Sequence, residues 1–147
     1  MTVLEVLTAP NPVLNQKCDP VEHFDESLKT LVADMFETMQ AHEGIGLAAP
    51  QVGILQRLFI CQLKTRQLVI INPVITLGSL DCESDEGCLS IPNTTVRVDR
   101  SNTVKVEAQD VNGNSFTLNE SGMMAIVIQH EFDHLEGRLI TDFGHII

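Results

Sequence analysis

The chain has 147 residues, 44% of them hydrophobic, which is enough for a buried core, and no composition shift marks a linker, so residues 1–147 are read as one domain. Nine Lys and Arg against twenty Asp and Glu give a net charge of −11, which argues against a dedicated nucleic-acid binder, because neutralising phosphates needs clustered cations. No stretch is long and apolar enough to span a membrane, and residues 1–20 carry neither a basic start nor an apolar signal core, so a cytoplasmic protein without membrane contact is expected.

In chain order, residues 1–24 hold Pro10, Pro12 and Pro20, which break both helix and strand and predict an extended arm lying on the body. Leu28, Leu31, Val32, Met35, Phe36 and Met39 then recur at helical spacing and predict an amphipathic helix over 25–42, with Asp25 or Ser27 as cap and Gly44 as stop. The segment 44–53, Gly-Ile-Gly-Leu-Ala-Ala-Pro-Gln-Val-Gly, reads as a helix-to-strand turn. Its two glycines around Ile45 could bring backbone close to a ligand, and Gln51 is its one side chain able to donate a hydrogen bond to an oxygen. Runs at 58–63 and 68–74 predict a hairpin turning at 64–67, and a polar loop is expected over 78–86. Cys88 follows, with a glycine before it and a proline four on; taken alone, such a cysteine is more often a small buried apolar residue. Alternation at 94–98 and 104–108, then the type I′ signal Asn112-Gly113 before Phe116 and Leu118, predict an antiparallel meander. The four cysteines, Cys18, Cys61, Cys82 and Cys88, show no C-x-x-C spacing, and a cytosolic address argues against disulfides.

The meander leads into the stretch 121–137, which contains His130-Glu131-Phe132-Asp133-His134. On a helix, His130 and His134 project from one face and can hold one metal ion, while Glu131 reaches a water beside it without being a ligand. The apolar run 123–128 predicts a helix buried all round, with Ser121 as N-cap and Gly137 at the C-terminal cap. Two histidines and two acids at the end of such a helix call for a compensating cation. Met123 and Val127 continue the same face as an apolar wall, although each could equally be plain core. The ten residues after Gly137 are too few to predict another helix.

A catalytic site of this kind uses three protein ligands and leaves one position for water. The third could be Cys88, Glu86, Asp133 or a more distant carboxylate. The H-E-x-x-H-x-x-G-x-x-H pattern fails because position 140 is isoleucine. Cys88 is the better candidate, since a thiolate is soft and suits iron(II), zinc or cobalt(II).

Three separated stretches, Gly44 to Gln51, Glu86-Gly87-Cys88-Leu89-Ser90 and Gln129 to Gly137, resemble the three signature motifs of the peptide deformylases in order and spacing. The opening Pro10-Asn11-Pro12-Val13-Leu14 is similar to that family's N-terminal arm, so the resemblance covers nearly the whole chain. It implies a metal-dependent hydrolase that removes the formyl group from N-formylmethionyl nascent chains and releases formate. Cys88, His130 and His134 would hold the metal, Glu131 would act as general base and acid, and the Gln51 amide with the Leu89 backbone N–H would hold the oxyanion. Gly44, Ile45, Gly46, Glu86, Gly87, Met123, Ile126 and Val127 would line the substrate site. The implied metal is Fe2+, with Zn2+, Ni2+ or Co2+ able to substitute. The long, often basic C-terminal helix of many members has no counterpart here, so this is expected to be a short form with at most weak ribosome association, in a bacterial cytosol or, if phage-encoded, that of the host. Many members carry a substrate-contacting arginine after the cysteine motif; Thr95 stands near that place and Arg97 is the nearest arginine. A metallopeptidase with a non-cysteine ligand and a catalytically silent metal-binding relative are the competing readings, and the presence of both Glu131 and Gln51 weighs against the silent one. The expected fold is α+β, antiparallel strands packed around a buried central helix carrying the H-E-x-x-H motif.

Overall fold

Alternating and helical apolar spacings divide the chain as the sequence predicts, and the computed structural model describes residues 2–147. In chain order the elements are α1 (Glu26–Ala41), β1 (Gly46–Ala48), β2 (Leu58–Leu63), β3 (Arg66–Leu77), β4 (Cys82–Cys88), β5 (Ile91–Arg100), β6 (Thr103–Gln109), β7 (Ser115–Ser121), α2 (Gly122–Leu135), α3 (Ile140–Phe143) and β8 (His145–Ile146). They form a five-stranded sheet in the order β1-β2-β3-β6-β7 and a three-stranded sheet in the order β4-β5-β8, with every strand pair antiparallel.

The larger sheet is filled from both faces. Phe59, Cys61, Ile70, Val104, Val106 and Ala108 meet Met124, Ala125, Val127, Ile128 and Leu135 of α2. Leu58, Ile60 and Ile71 point the other way, onto Leu28, Val32, Met35 and Met39 of α1. Helix α1 is capped by Asp25, whose carboxylate accepts the Leu28 N–H at 3.1 Å. It ends one residue before the expected stop: Glu43, not Gly44, takes the left-handed conformation (φ 56°), and the Gly44 N–H reaches back to the Met39 carbonyl at 2.9 Å.

Several expectations change on contact with tertiary structure. The stretch expected as a polar loop over 78–86 is mostly β4, an edge strand that exposes Glu83 and Asp85 and buries Glu86; without an apolar face it carries no strand signal. The first hairpin turns on Lys64-Thr65 alone, since Arg66 and Gln67 already pair with Leu63 and Gln62. At 110–114 only Gly113 has positive φ, and the Asp110 carboxylate accepts from the Asn112 and Asn114 N–H groups, so the turn is not type I′, which needs two such residues. Strand β5 leaves the expected meander and joins the smaller sheet, while the residues after Gly137 form α3 and β8, the latter pairing with β5 at Val96 and Arg97. Helix α2 is not buried all round either: Met123 is 59% exposed at an open cleft. Ser121 stands at the N-cap but its side chain makes no capping bond.

Two features of the arm and α2 hold as expected. Gly137 (φ 74°) follows the helix in the left-handed position, and a Cβ there would come within 2.9 Å of the Asn15 and Gln16 backbone, so glycine is required twice over. The arm lies on the body as expected, though Pro12–Asn15 wind into a 3-10 turn instead of staying extended, and backbone bonds tie it down: Leu7 N–H to Gln51 O, Ala9 N–H to Ser90 O and Cys18 N–H to Leu135 O.

Candidate active site

The last two turns of α2 place His130 above His134, with ring centroids 5.3 Å apart. Strand β4 ends in an irregular pairing between Glu86 and Cys88, which turns Cys88 toward them. Its Sγ lies 3.4 Å from His134 Nε2, and the donor atoms of Cys88, His130 and His134 all fall within 4.8 Å of one another. Of the third-ligand candidates, Glu86 and Asp133 are both engaged elsewhere, by Arg100.

That engagement orients the site. His130 Nδ1 bonds Glu86 Oε1 at 2.8 Å, leaving Nε2 for the cluster. Glu86 in turn accepts two bonds from Arg100, at 2.8 and 2.7 Å, and Arg100 also donates to Asp133 at 2.7 Å. Burial alone would raise the Glu86 carboxyl, but bonds from Arg100 and His130 overturn this and hold it at about 2. Burial pushes the Asp133 carboxyl up against the pull of Arg100, and it pushes the His134 imidazole well below its usual range.

Glu131 points from the same helix into the cleft. Burial raises its carboxyl to about 7, and its Oε1 has no hydrogen-bond partner. Strand β1 passes directly over it, so a Cβ at Gly46 would overlap the carboxylate. On the other side, Gln51 is fixed at both ends of its amide: Oε1 accepts the Ala48 N–H at 2.9 Å, and Nε2 donates to Ser90 Oγ at 3.1 Å and toward Cys88 Sγ at 3.6 Å.

These groups share a cleft of about 810 Å³, lined by Gly44, Ile45, Gly46, Gln51, Glu86, Gly87, Cys88, Leu89, Met123, Ile126, Val127, His130 and Glu131. Every site residue expected from the sequence therefore lines it except His134, which lies behind, almost wholly buried, with Nδ1 unpartnered. Arg97 does not line the cleft itself but forms a two-point pair, at 2.8 and 3.2 Å, with Asp85, which does. Thr95 does line the cleft. The residues that sequence reasoning missed are Arg100 and Ser90. Arg100 had a signal, since it shares strand parity with the buried Val96 and Val98.

A soft sulfur and two imidazoles, converging beside the unpartnered, buried Glu131 Oε1, fit a divalent transition metal. The profile of the polypeptide deformylase family matches residues 3–144. The peptide deformylase of Thermotoga maritima superposes with a TM-score of 0.93 at 40% identity, covering 97% of each chain. That of Legionella pneumophila gives 0.92 at 42% identity, over 96% of this chain and 85% of the other. A third, from Synechococcus elongatus in complex with actinonin, gives 0.92 at 40% identity, over 97% and 79%. The chain belongs to the peptide deformylase family, metal-dependent hydrolases that remove the N-formyl group from nascent polypeptides.

Proposed function

We propose that residues 1–147 form one catalytic domain in which Cys88, His130 and His134 hold a single divalent ion, Fe2+ in the cell, with Zn2+, Ni2+ or Co2+ able to replace it. Such an ion supplies Lewis acidity, polarising the formyl carbonyl and acidifying a water. The chain's own residues do the rest. Glu131 takes the proton of the attacking water as its oxygen bonds to the formyl carbon, then returns that proton to the amine nitrogen as the C–N bond breaks, leaving formate and a free N-terminal methionine. The Gln51 Nε2–H and the Leu89 N–H hold the developing oxyanion. Ile45, Met123, Ile126 and Val127 offer an apolar wall to the methionine side chain, and Gly44, Gly46 and Gly87 let the substrate backbone approach. Helix α2 is thus the metal-bearing element of a protein that works in the cytoplasm on N-formylmethionyl chains.

The observation that carries this reading is Glu131: a buried carboxyl with one oxygen unpartnered, set beside three convergent donors. A carboxylate held this close to the donors, with a free oxygen, can take a proton from a water there and pass it on. The test is formate release from a formyl-Met peptide by anaerobically prepared, iron-loaded protein. Glu131→Gln is expected to lower kcat by roughly 100- to 10,000-fold with the metal retained; an active Glu131→Gln protein would remove Glu131 from the mechanism.

A further inference from the structure

A primary amide is nearly symmetrical in shape, yet only its N–H groups can hold an oxyanion, so something must aim Gln51. One end is fixed by the Ala48 N–H, which Oε1 accepts at 2.9 Å. Of the two hydrogens on Nε2, one is taken by Ser90 Oγ at 3.1 Å, and the other is left on the side of Cys88. Ser90 is fully buried. It lies 39 residues from Gln51 in the chain, between β4 and β5, and its hydroxyl accepts from Gln51 Nε2. The arm locks the two segments together, since Leu7 N–H donates to the Gln51 carbonyl at 2.7 Å and Ala9 N–H to the Ser90 carbonyl at 2.8 Å.

We propose that Ser90 is the positioning residue for the oxyanion donor: its hydroxyl occupies one Gln51 N–H and thereby directs the other at the reacting carbonyl. The inference rests on the reading of Gln51 given above. It predicts an effect on kcat that exists only while Gln51 is present.

The experiment is a double-mutant cycle of Ser90→Ala, Gln51→Ala and the pair, in metal-loaded protein, reading kcat, KM and bound metal on a formyl-Met peptide. One aimed hydrogen bond corresponds to about ten-fold in rate. Ser90→Ala should therefore lower kcat by about that factor with KM and metal content held, Ser90→Thr should recover most of it, and Ser90→Ala should add nothing in the Gln51→Ala background. Ser90→Gly removes the same oxygen and takes the place of Ser90→Ala if that variant does not fold. Equal fold losses in both backgrounds would overturn the positioning role in favour of a structural one, as would unchanged kcat in Ser90→Ala while Gln51→Ala is slow. Unchanged kcat in Gln51→Ala itself would instead remove the oxyanion reading on which the inference stands.

Discussion

Both sheets of this molecule have an apolar core, the smaller one where Ile91, Val96 and Val98 of β5 meet Leu14, Leu139 and Ile140, but they meet helix α2 by different means. The five-stranded sheet is apolar on both faces where α1 and α2 cover it, with Phe59, Ile60, Ile70, Ile71 and Val106 fully buried. The three-stranded sheet begins with a strand reading Cys-Glu-Ser-Asp-Glu-Gly-Cys, and its joint to α2 is the ion network of Arg100 with Glu86 and Asp133. Burial of apolar area is non-directional and tolerates small changes, whereas buried charges hold only while each is paired. The junction that holds the Cys88-bearing sheet to α2 is therefore the fragile one, and apart from β1, whose Gly46 passes over Glu131, the larger sheet can vary without touching the chemistry.

The largest expected effect is Arg100→Leu, which strands two buried carboxylates. Breaking a buried pair in this way costs about 3–5 kcal/mol. Because Glu86 also orients His130, metal affinity should fall by roughly 10- to 100-fold as well. Urea denaturation and metal titration read the two effects. A loss below about 1 kcal/mol would mean that the network is dispensable and that the smaller sheet rests on packing like the larger one.

Acid should find the same weak point. Glu86 has its carboxyl lowered from 4.5 to about 2 in the fold. A lowered carboxyl contributes stability above its unfolded pKa and loses it as pH falls through the folded one, so this contribution, about 3 kcal/mol, disappears between pH 4.5 and 2. Asp133, pushed up by burial, has the opposite sign and offsets part of it. In metal-free protein the midpoint of urea denaturation should fall across this window, and Glu86→Gln should flatten the dependence. An equally steep Glu86→Gln profile would assign acid lability elsewhere.

The larger sheet should be forgiving. Ile70→Val removes one methylene from a fully buried position on β3, in the core that α2 covers, and should cost about 1 kcal/mol. Activity and metal content should stay at the wild-type level. A fall in kcat without unfolding would show that strain passes from the scaffold to the site, against the separation argued above.

The same contrast explains what could be read in advance. His130, Glu131 and His134 belong to one helix, so a local period placed them together; β5 and β6 announced themselves by alternation, α1 by helical spacing and β2 as a short apolar run. Cys88 entered as a candidate through its ligand chemistry and Gln51 as the one donor of its segment, but only motif resemblance gave them their roles, because nothing local says which loop will meet a helix. Arg100 and Ser90 escaped because their partners lie 14, 33 and 39 residues away, and the cost of burying a polar group is settled only by those partners. Strand β4 escaped for the same reason: a strand whose buried residue is a carboxylate looks like a loop until its arginine is found. Glu43 escaped because a helix stop was assigned to the glycine beside it, whereas Gly44 is small because the Leu89 side chain crowds it.

The mildest probe uses the four thiols, two on each side of the divide. Cys18 and Cys61 pack in the core between the larger sheet and α2, and burial pushes them to about 11 and about 12. At pH 8 their thiolate fractions are roughly a thousandth or less, so alkylation of the native protein should leave both untouched. Cys82 and Cys88 are only half-buried, on β4. Iodoacetamide should therefore add first at Cys82, at Cys88 only after the metal is chelated, and at all four on unfolding, with intact mass and peptide mapping as the readout. Modification of Cys61 as fast as Cys82 would mean that the larger sheet opens as readily as the smaller one, and the division between a tolerant scaffold and a fragile functional junction would fail.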